Sequence, residues 1–253
     1  MTRSTEQAGE LVARLEALGA HALRCPTLAF AEAPAGGALD EALRGLASYA
    51  WLVVTSPNGA RFLARSLERL GLLPAPPPGC RVAAVGPATA AALAEAGIPT
   101  DWMPGEHTGR ALAEGLEPVA GLRVLLARGD LADTEPARIL AERGADPTEV
   151  VTYRTLPAAP PPEAMEELRR GVDAVTFTSP STVEGLRGIG PGWRDLLEGA
   201  AVATIGSTTT RAARRAGLEV HAEARERTME GLVQAVVRAL ASRAAPPAPE
   251  VRP

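Results

Sequence analysis

The stretch DAVTFTSPSTV, Asp173–Val183, decides how the chain is read. Ala174–Thr178 is apolar and β-branched, the signature of a buried strand, and it runs into a turn of small residues, Ser179-Pro180-Ser181-Thr182. WLVVTSPNGA, Trp51–Ala60, has the same form. The shared Thr-Ser-Pro stands at Thr55–Pro57 and Thr178–Pro180, an offset of 178 − 55 = 123. A second pair follows: VAAVGPATAAALAEAG (Val82–Gly97) and VATIGSTTTRAARRAG (Val202–Gly217), offset by 202 − 82 = 120. Thr108-x-x-x-Leu112 and Thr228-x-x-x-Leu232 close the unit, again 120 apart. Three matching pieces in one order mark an internal repeat, so the chain holds two copies of one α/β unit.

Composition narrows the class. At 253 residues the chain suits one large domain or two small ones. Aromatic residues make up only 3%, so the cores are built from Ala, Leu and Val, and ring-stacking recognition of single-stranded nucleic acid is disfavoured. A net charge of −4 gives no general reason to bind a polyanion. Cys25 and Cys80 lie far apart in or beside apolar stretches and form no CxxC, which reads as buried thiols rather than a disulfide or zinc site. His21, His107 and His221 are scattered, and no metal constellation is expected from them. No apolar run is long enough to span a bilayer and no signal peptide opens the sequence, so the expected location is cytoplasmic.

Leu11, Val12, Leu15 and Leu18 recur at helical spacing over Thr5–Leu18, with Gly19 as the stop, and a strand over Ala22–Leu28 is expected next. A helix so placed calls for a strand before Thr2, where the sequence is too short to supply a full one. Strands are expected at Trp51–Thr55, Arg81–Val85, Leu122–Ala127 and Glu149–Tyr153. Helices are expected at Leu39–Leu46, Asn58–Leu70, Ala88–Ala96, Thr108–Leu116, Ala132–Arg143, Glu163–Arg170 and Thr228–Ala241. Pro157–Pro162 is linker-like, and residues 244–253 read as a disordered tail. A fainter echo relates Thr2-Arg3-Ser4, helix, Gly19 and a strand ending at Leu28 to Leu126-Ala127-Arg128-Gly129-Asp130, helix, Gly144 and a strand ending at Tyr153. Half-units of Arg and TSP type thus alternate, and each five-stranded parallel sheet needs one of each, paired sequentially or nested. Alternating strands and helices indicate parallel sheets covered on both faces, with ligands at the carboxyl ends of the strands. Two such edges facing each other would make one cleft.

The candidate residues all lie at those ends. Gly86-Pro87-Ala88-Thr89 and Gly206-Ser207-Thr208-Thr209 open helices, whose free N–H groups favour anions; alternatively Thr89 and Thr209 only cap. Ser56 and Ser179, each before a proline and flanked by Thr55 and Ser181, could donate to a carboxylate or bond their own backbone. Arg3 and Arg128 are repeat equivalents suited to carboxylates, whereas Arg154 reads as surface charge. No Gly-x-Ser-x-Gly and no paired carboxylates stand out.

The order TRS, TSPNG, VGPAT, ARGD, TYRT, FTSPST, IGSTT and Thr228-x-x-x-Leu232 resembles the uroporphyrinogen-III synthases, from Thr2 to about Ala241. The resemblance implies two flavodoxin-like parallel-sheet α/β domains in nested order: 1–28 with 160–243, and 30–154, joined by a two-stranded connector at 29–32 and 155–160. It implies conversion of hydroxymethylbilane, a linear tetrapyrrole with eight carboxylates, into uroporphyrinogen III in the interdomain cleft. Water is lost, the terminal pyrrole ring is inverted and the macrocycle closes. It further implies no metal or organic cofactor, no nucleic-acid or membrane partner, a monomer, and substrate transfer from hydroxymethylbilane synthase. Tyr153 takes the catalytic position. Arg3, Thr55, Ser56, Gly86, Thr89, Arg128, Ser179, Ser181, Gly206, Thr208 and Thr209 become substrate-binding candidates. Two departures are the short first strand and Ser207 in place of a common proline. The alternative is a cytoplasmic two-domain binding protein or sensor for an anionic small molecule. A nucleotide-dependent enzyme is disfavoured by the lack of Gly-x-Gly-x-x-Gly and of a P-loop.

Overall fold

The computed structural model describes residues 9–73 and 76–244. Arg3, the stretch before Thr2 and the tail from 245 onward lie outside the described residues. The fold is mixed α/β with parallel sheets, and the chain divides into two compact units, Met1–Ala29 with Leu156–Pro253, and Phe30–Thr155.

The five-stranded sheet, most of it in the second unit, has the strands β1 (Leu28–Glu32), β2 (Trp51–Val54), β3 (Arg81–Ala84), β4 (Arg123–Gly129) and β5 (Asp146–Pro157), in the order β1-β5-β4-β2-β3. The pairs β2–β3, β2–β4 and β4–β5 are parallel. Ala33 N–H donates to Thr152 O and Ala158 N–H to Thr27 O, so the partners run in opposite senses and β1 lies antiparallel to β5. Alternate strand residues feed two cores, as the two-residue period of a strand requires. Leu52, Val54, Val82, Ala84 and Leu125 pack with α2 (Ala38–Arg44), α3 (Pro57–Arg69) and α4 (Pro87–Ala94). Trp51, Val53, Ala83, Val124 and Leu126 pack with α5 (Gly109–Gly115) and α6 (Glu135–Glu142). Burial on both faces is why WLVV reads as an unbroken apolar run.

The first unit repeats the plan. Its strands β6 (Ala174–Phe177), β7 (Ala201–Thr204) and β8 (Ala222–Glu223) are parallel neighbours in that order. Val175, Phe177 and Val202 pack with α7 (Pro162–Arg169), α8 (Pro180–Arg187) and α9 (Ser207–Arg215). Ala203 packs with α1 (Gly9–Glu16) and α10 (Met229–Ala244). The expected strand Ala22–Leu28 is not formed: residues 21–27 carry no strand, and only Leu28 belongs to one. Pro26 has no N–H to give a ladder. Within this segment Cys25 lies in the core and Thr27 lies against Gly185 of α8. The described part of this sheet therefore has three strands where five were expected. Conversely, β5 runs twelve residues, well beyond Glu149–Tyr153. The two-residue β8 is too short to leave a periodic signal.

One buried ion pair ties α2 to the end of α3. The Asp40 carboxylate is 1% exposed and accepts both terminal nitrogens of Arg69, at 2.8 and 2.7 Å, and the Gly36 N–H at 2.7 Å. These bonds, the Arg69 guanidinium first, lower its pKa to about 2. The unfolded chain holds such a carboxyl near ~4. The stability this pair contributes is thus complete above pH ~4 and is lost as pH falls towards 2. Urea unfolding of wild type and Asp40→Asn at several pH values should show a gap that is constant above pH ~5 and shrinks between pH ~4 and ~2.

Candidate active site

The Thr-Ser-Pro turn of the second unit does two jobs. Ser56 is the N-cap of α3, with extended backbone, and its Oγ accepts the Gly59 N–H at 2.9 Å. Pro57, at the first helical position, has the fixed φ suited to that place. Ser56 and Asn58 also hydrogen-bond the phenol of Tyr153. The Tyr153 ring is stacked on Phe62 at 5.4 Å between centroids and meets Phe30 edge-on at 5.3 Å. Asp130 is fixed nearby, its Oδ1 accepting the N–H groups of Leu131 and Thr155 at 3.0 Å each. Burial raises the pKa of the phenol and the Asp130 charge adds to the rise, while the bonds from Ser56 and Asn58 oppose it. The net effect is upward, so the hydroxyl keeps its proton at neutral pH.

The corresponding turn of the first unit is a capping box. Ser179 Oγ accepts the Thr182 N–H, and Thr182 Oγ1 accepts the Ser179 N–H, both at 3.3 Å. Ser181 Oγ lies 2.8 Å from Ser179 Oγ. Ser56 and Ser179 therefore bond their own helix backbone here. Thr55 follows β2, donating its N–H to Ala127 O at 3.4 Å.

The glycine turns match bond for bond across the repeat. Gly86 and Gly206 occupy the N-cap positions of α4 and α9 with nearly identical extended backbones. The Val82 N–H donates to Asp101 Oδ2 at 2.7 Å, and the Val202 N–H to His221 Nδ1 at 3.1 Å. Thr108 Oγ1 accepts the Ala111 N–H at 3.1 Å, and Thr228 Oγ1 the Gly231 N–H at 3.0 Å. Every one of these pairs is offset by 120. A Cβ on Gly86 would lie 3.0 Å from His107, and one on Gly206 would lie 3.1 Å from Nε of Arg227, so glycine lets a basic side chain cover each turn. His107 was read only as one of three scattered histidines and Arg227 was not singled out, although 227 − 107 = 120 would have linked them. Ser207 keeps the turn geometry of Pro87 and adds an N–H that proline lacks.

Two expectations need correction. Thr89 and Thr209 are third in their helices and buried, 1% and 3% exposed, so neither caps and neither meets solvent. That helical position faces the sheet; Thr208, one residue earlier, is exposed. Arg128 is not a free cation: it is ion-paired with Glu149, and its Nη1 donates to Gly129 O at 3.1 Å. Its guanidinium lies along β4 because Glu149 sits on the neighbouring strand, opposite Leu126. Arg154 is exposed. Burial raises the pKa of both thiols, that of Cys80 to about 11.

Residues 9–234 match the family model described as uroporphyrinogen-III synthase HemD. The chain belongs to the uroporphyrinogen-III synthase family. It is 31% identical over 244 residues to the uroporphyrinogen-III synthase of Synechococcus elongatus, covering 93% of this chain and 92% of that protein. Its fold is similar to a crystal structure of a mutant uroporphyrinogen III synthase from Thermus thermophilus, with TM-score 0.62, 26% identity, and 94% and 97% of the two chains covered. The Helicobacter pylori uroporphyrinogen-III synthetase shares the fold at TM-score 0.60 and 18% identity, over 82% and 88% of the chains. Within this family member the structure gathers Ser56, Asn58, Asp130 and Tyr153 into one cluster at the carboxyl edge of the second unit's sheet. Asn58 and Asp130 were not among the residues singled out by sequence, because their role depends on where the Tyr153 ring lies.

The two serines are separable by experiment. Ser56→Ala and Ser179→Ala should each lower unfolding stability by ~1 kcal/mol through loss of a cap. Only Ser56→Ala should raise the Tyr153 pKa further, because it removes a bond that favours the phenolate. Ultraviolet absorbance titration of the tyrosines checks this.

Proposed function

We propose that this chain cyclises hydroxymethylbilane to uroporphyrinogen III, with loss of water and inversion of the terminal pyrrole ring, and that it uses neither a metal nor an organic cofactor. The observation that carries the reading is the Tyr153 phenol: protonated, oriented by Ser56 and Asn58, and set at the carboxyl edge of a parallel sheet in a chain of this family. Departure of a hydroxyl from the substrate's hydroxymethyl group needs a proton, and a phenol above its ordinary pKa is a donor at neutral pH. The electron-rich pyrrole itself drives the departure, so the donor's contribution is modest. Most of the acceleration then comes from holding the reacting ends together, which can reach roughly 7–11 kcal/mol.

The substrate's carboxylates call for donors spread over both sheet edges. The N-terminal N–H groups of α4 and α9 favour anions through the helix dipole, and Arg227 beside the α9 turn adds a full positive charge. Thr208, Ser207 and the turn backbone are the accessible donors, in place of the buried Thr89 and Thr209. In this reading the two units are flavodoxin-like, nested in the chain and connected through β1 and β5. The discontinuous grouping of the chain and the antiparallel β1–β5 pair support it.

Single-turnover kinetics with freshly made hydroxymethylbilane test the assignment. Tyr153→Phe should slow the reaction by about 10–100-fold and still yield the type III isomer, since positioning is retained. Chelators should leave the wild-type rate unchanged. Folded wild-type protein yielding only the uninverted type I isomer, at the uncatalysed rate, would overturn the function. An unchanged rate for Tyr153→Phe would remove the phenol from the chemistry.

A further inference from the structure

Gly129 ends β4 in the family's ARGD segment, and its backbone lies outside the left-handed region, so conformational freedom does not explain a glycine there. Space does. A Cβ at this position would lie 2.6 Å from both Cζ and Oη of Tyr153 and 3.1 Å from its Cε1. Real carbon atoms do not approach so closely, and the ring has little room to retreat, because Phe62 and Phe30 close on it.

The close approach originates in the strand register. Arg128 pairs with Val151, and Gly129 pairs with Tyr153, so β5 holds one extra residue, Thr152, opposite the end of β4. This is a β-bulge, a device that re-aims the following side chain. It is pinned at Thr152, which is fully buried. The Thr152 Oγ1 donates to Arg128 O at 3.1 Å, and its carbonyl accepts the Ala33 N–H at 3.2 Å. Without the extra residue, Tyr153 would fall opposite Asp130 rather than opposite a residue with no side chain.

We propose that Gly129 is a positioning residue for Tyr153: with the Thr152 bulge, its lack of a side chain lets the ring lie across the end of β4 and sets the hydroxyl on Ser56 and Asn58. This rests on the reading of Tyr153 as the proton donor. It assigns Gly129 no contact with substrate.

The test compares Gly129→Ala, Tyr153→Phe and the double variant in the full chain, with Gly9→Ala as control because a Cβ there meets nothing within 4 Å. Gly129→Ala should lower kcat by about 10–100-fold, the size expected for loss of the acid, with little change in KM. The double variant should be no slower than Tyr153→Phe alone, since no hydroxyl is left to misplace. In a Tyr49→Phe background, which leaves Tyr153 as the single tyrosine, Gly129→Ala should bring the phenol pKa down towards its ordinary range, because burial is the largest cause of the rise. Thr152→Val, which removes the hydroxyl pin but keeps the volume, should shift kcat and titration in the same directions by less; it decides the matter if Gly129→Ala does not fold. Unchanged kcat and titration in either variant, or losses that multiply in the double variant, overturn the proposal. If Tyr153→Phe itself retains the wild-type rate, the proton-donor reading fails and the titration alone decides whether Gly129 places the ring.

Discussion

The Ser56 hydroxyl is the interaction on which the carboxyl edge of the second unit depends. It satisfies the Gly59 N–H, one of the donors that a helix start leaves without an intrahelical partner, and so fixes the first turn of α3. Phe62 lies on that helix and supplies one face of the Tyr153 ring site. The same Ser56 side chain bonds the phenol. Capping, packing and the orientation of the candidate acid thus meet at a single oxygen. A change there cannot be purely catalytic or purely structural. The equivalent Ser179 makes the cap without the tyrosine and is bonded to Ser181 and Thr182 instead.

The repeat explains both what the units share and where they diverge. Strand, glycine turn, helix and threonine cap recur at an offset of 120 down to individual hydrogen bonds, because each solves the same local problem: ending a buried parallel strand and starting a helix above it. The differences gather at the carboxyl edges. Across the repeat, histidine at 107 corresponds to arginine at 227, proline at 87 to serine at 207, and asparagine at 58 to serine at 181. The first unit's turn therefore carries a permanent positive charge and one more N–H, while the second unit holds the phenol. Duplication supplied the scaffold twice, and the side chains at its edges differ between the copies.

Deeper in the second unit, the packing shows why few alternatives were open to the edge. Both faces of the β2–β4 pair are covered, so every strand residue from Trp51 to Val54 is buried and none can reach a ligand. The candidate residues of this unit lie where β2 and β4 end: Thr55 through Asn58, Gly129 through Asp130, and Tyr153, which pairs with Gly129.

From the residues alone came the parallel α/β class, the repeat, the strands WLVV, RVAA and AVTF, and most helix starts, because these depend on local periodicity and on capping chemistry that a short window contains. The family resemblance pointed to Tyr153 as a candidate, and the strand–helix alternation put the candidate turns at strand ends. The tertiary structure alone decided that Thr89 and Thr209 are buried, that Arg128 is ion-paired with Glu149, that residues 21–27 form no strand, and that His107 and Arg227 cover the glycine turns. It also decided that a one-residue bulge lays Tyr153 against Gly129. These outcomes depend on register and on contacts between residues far apart in the chain, where a shift of one position exchanges the faces of a strand, and no local pattern of side chains encodes that choice.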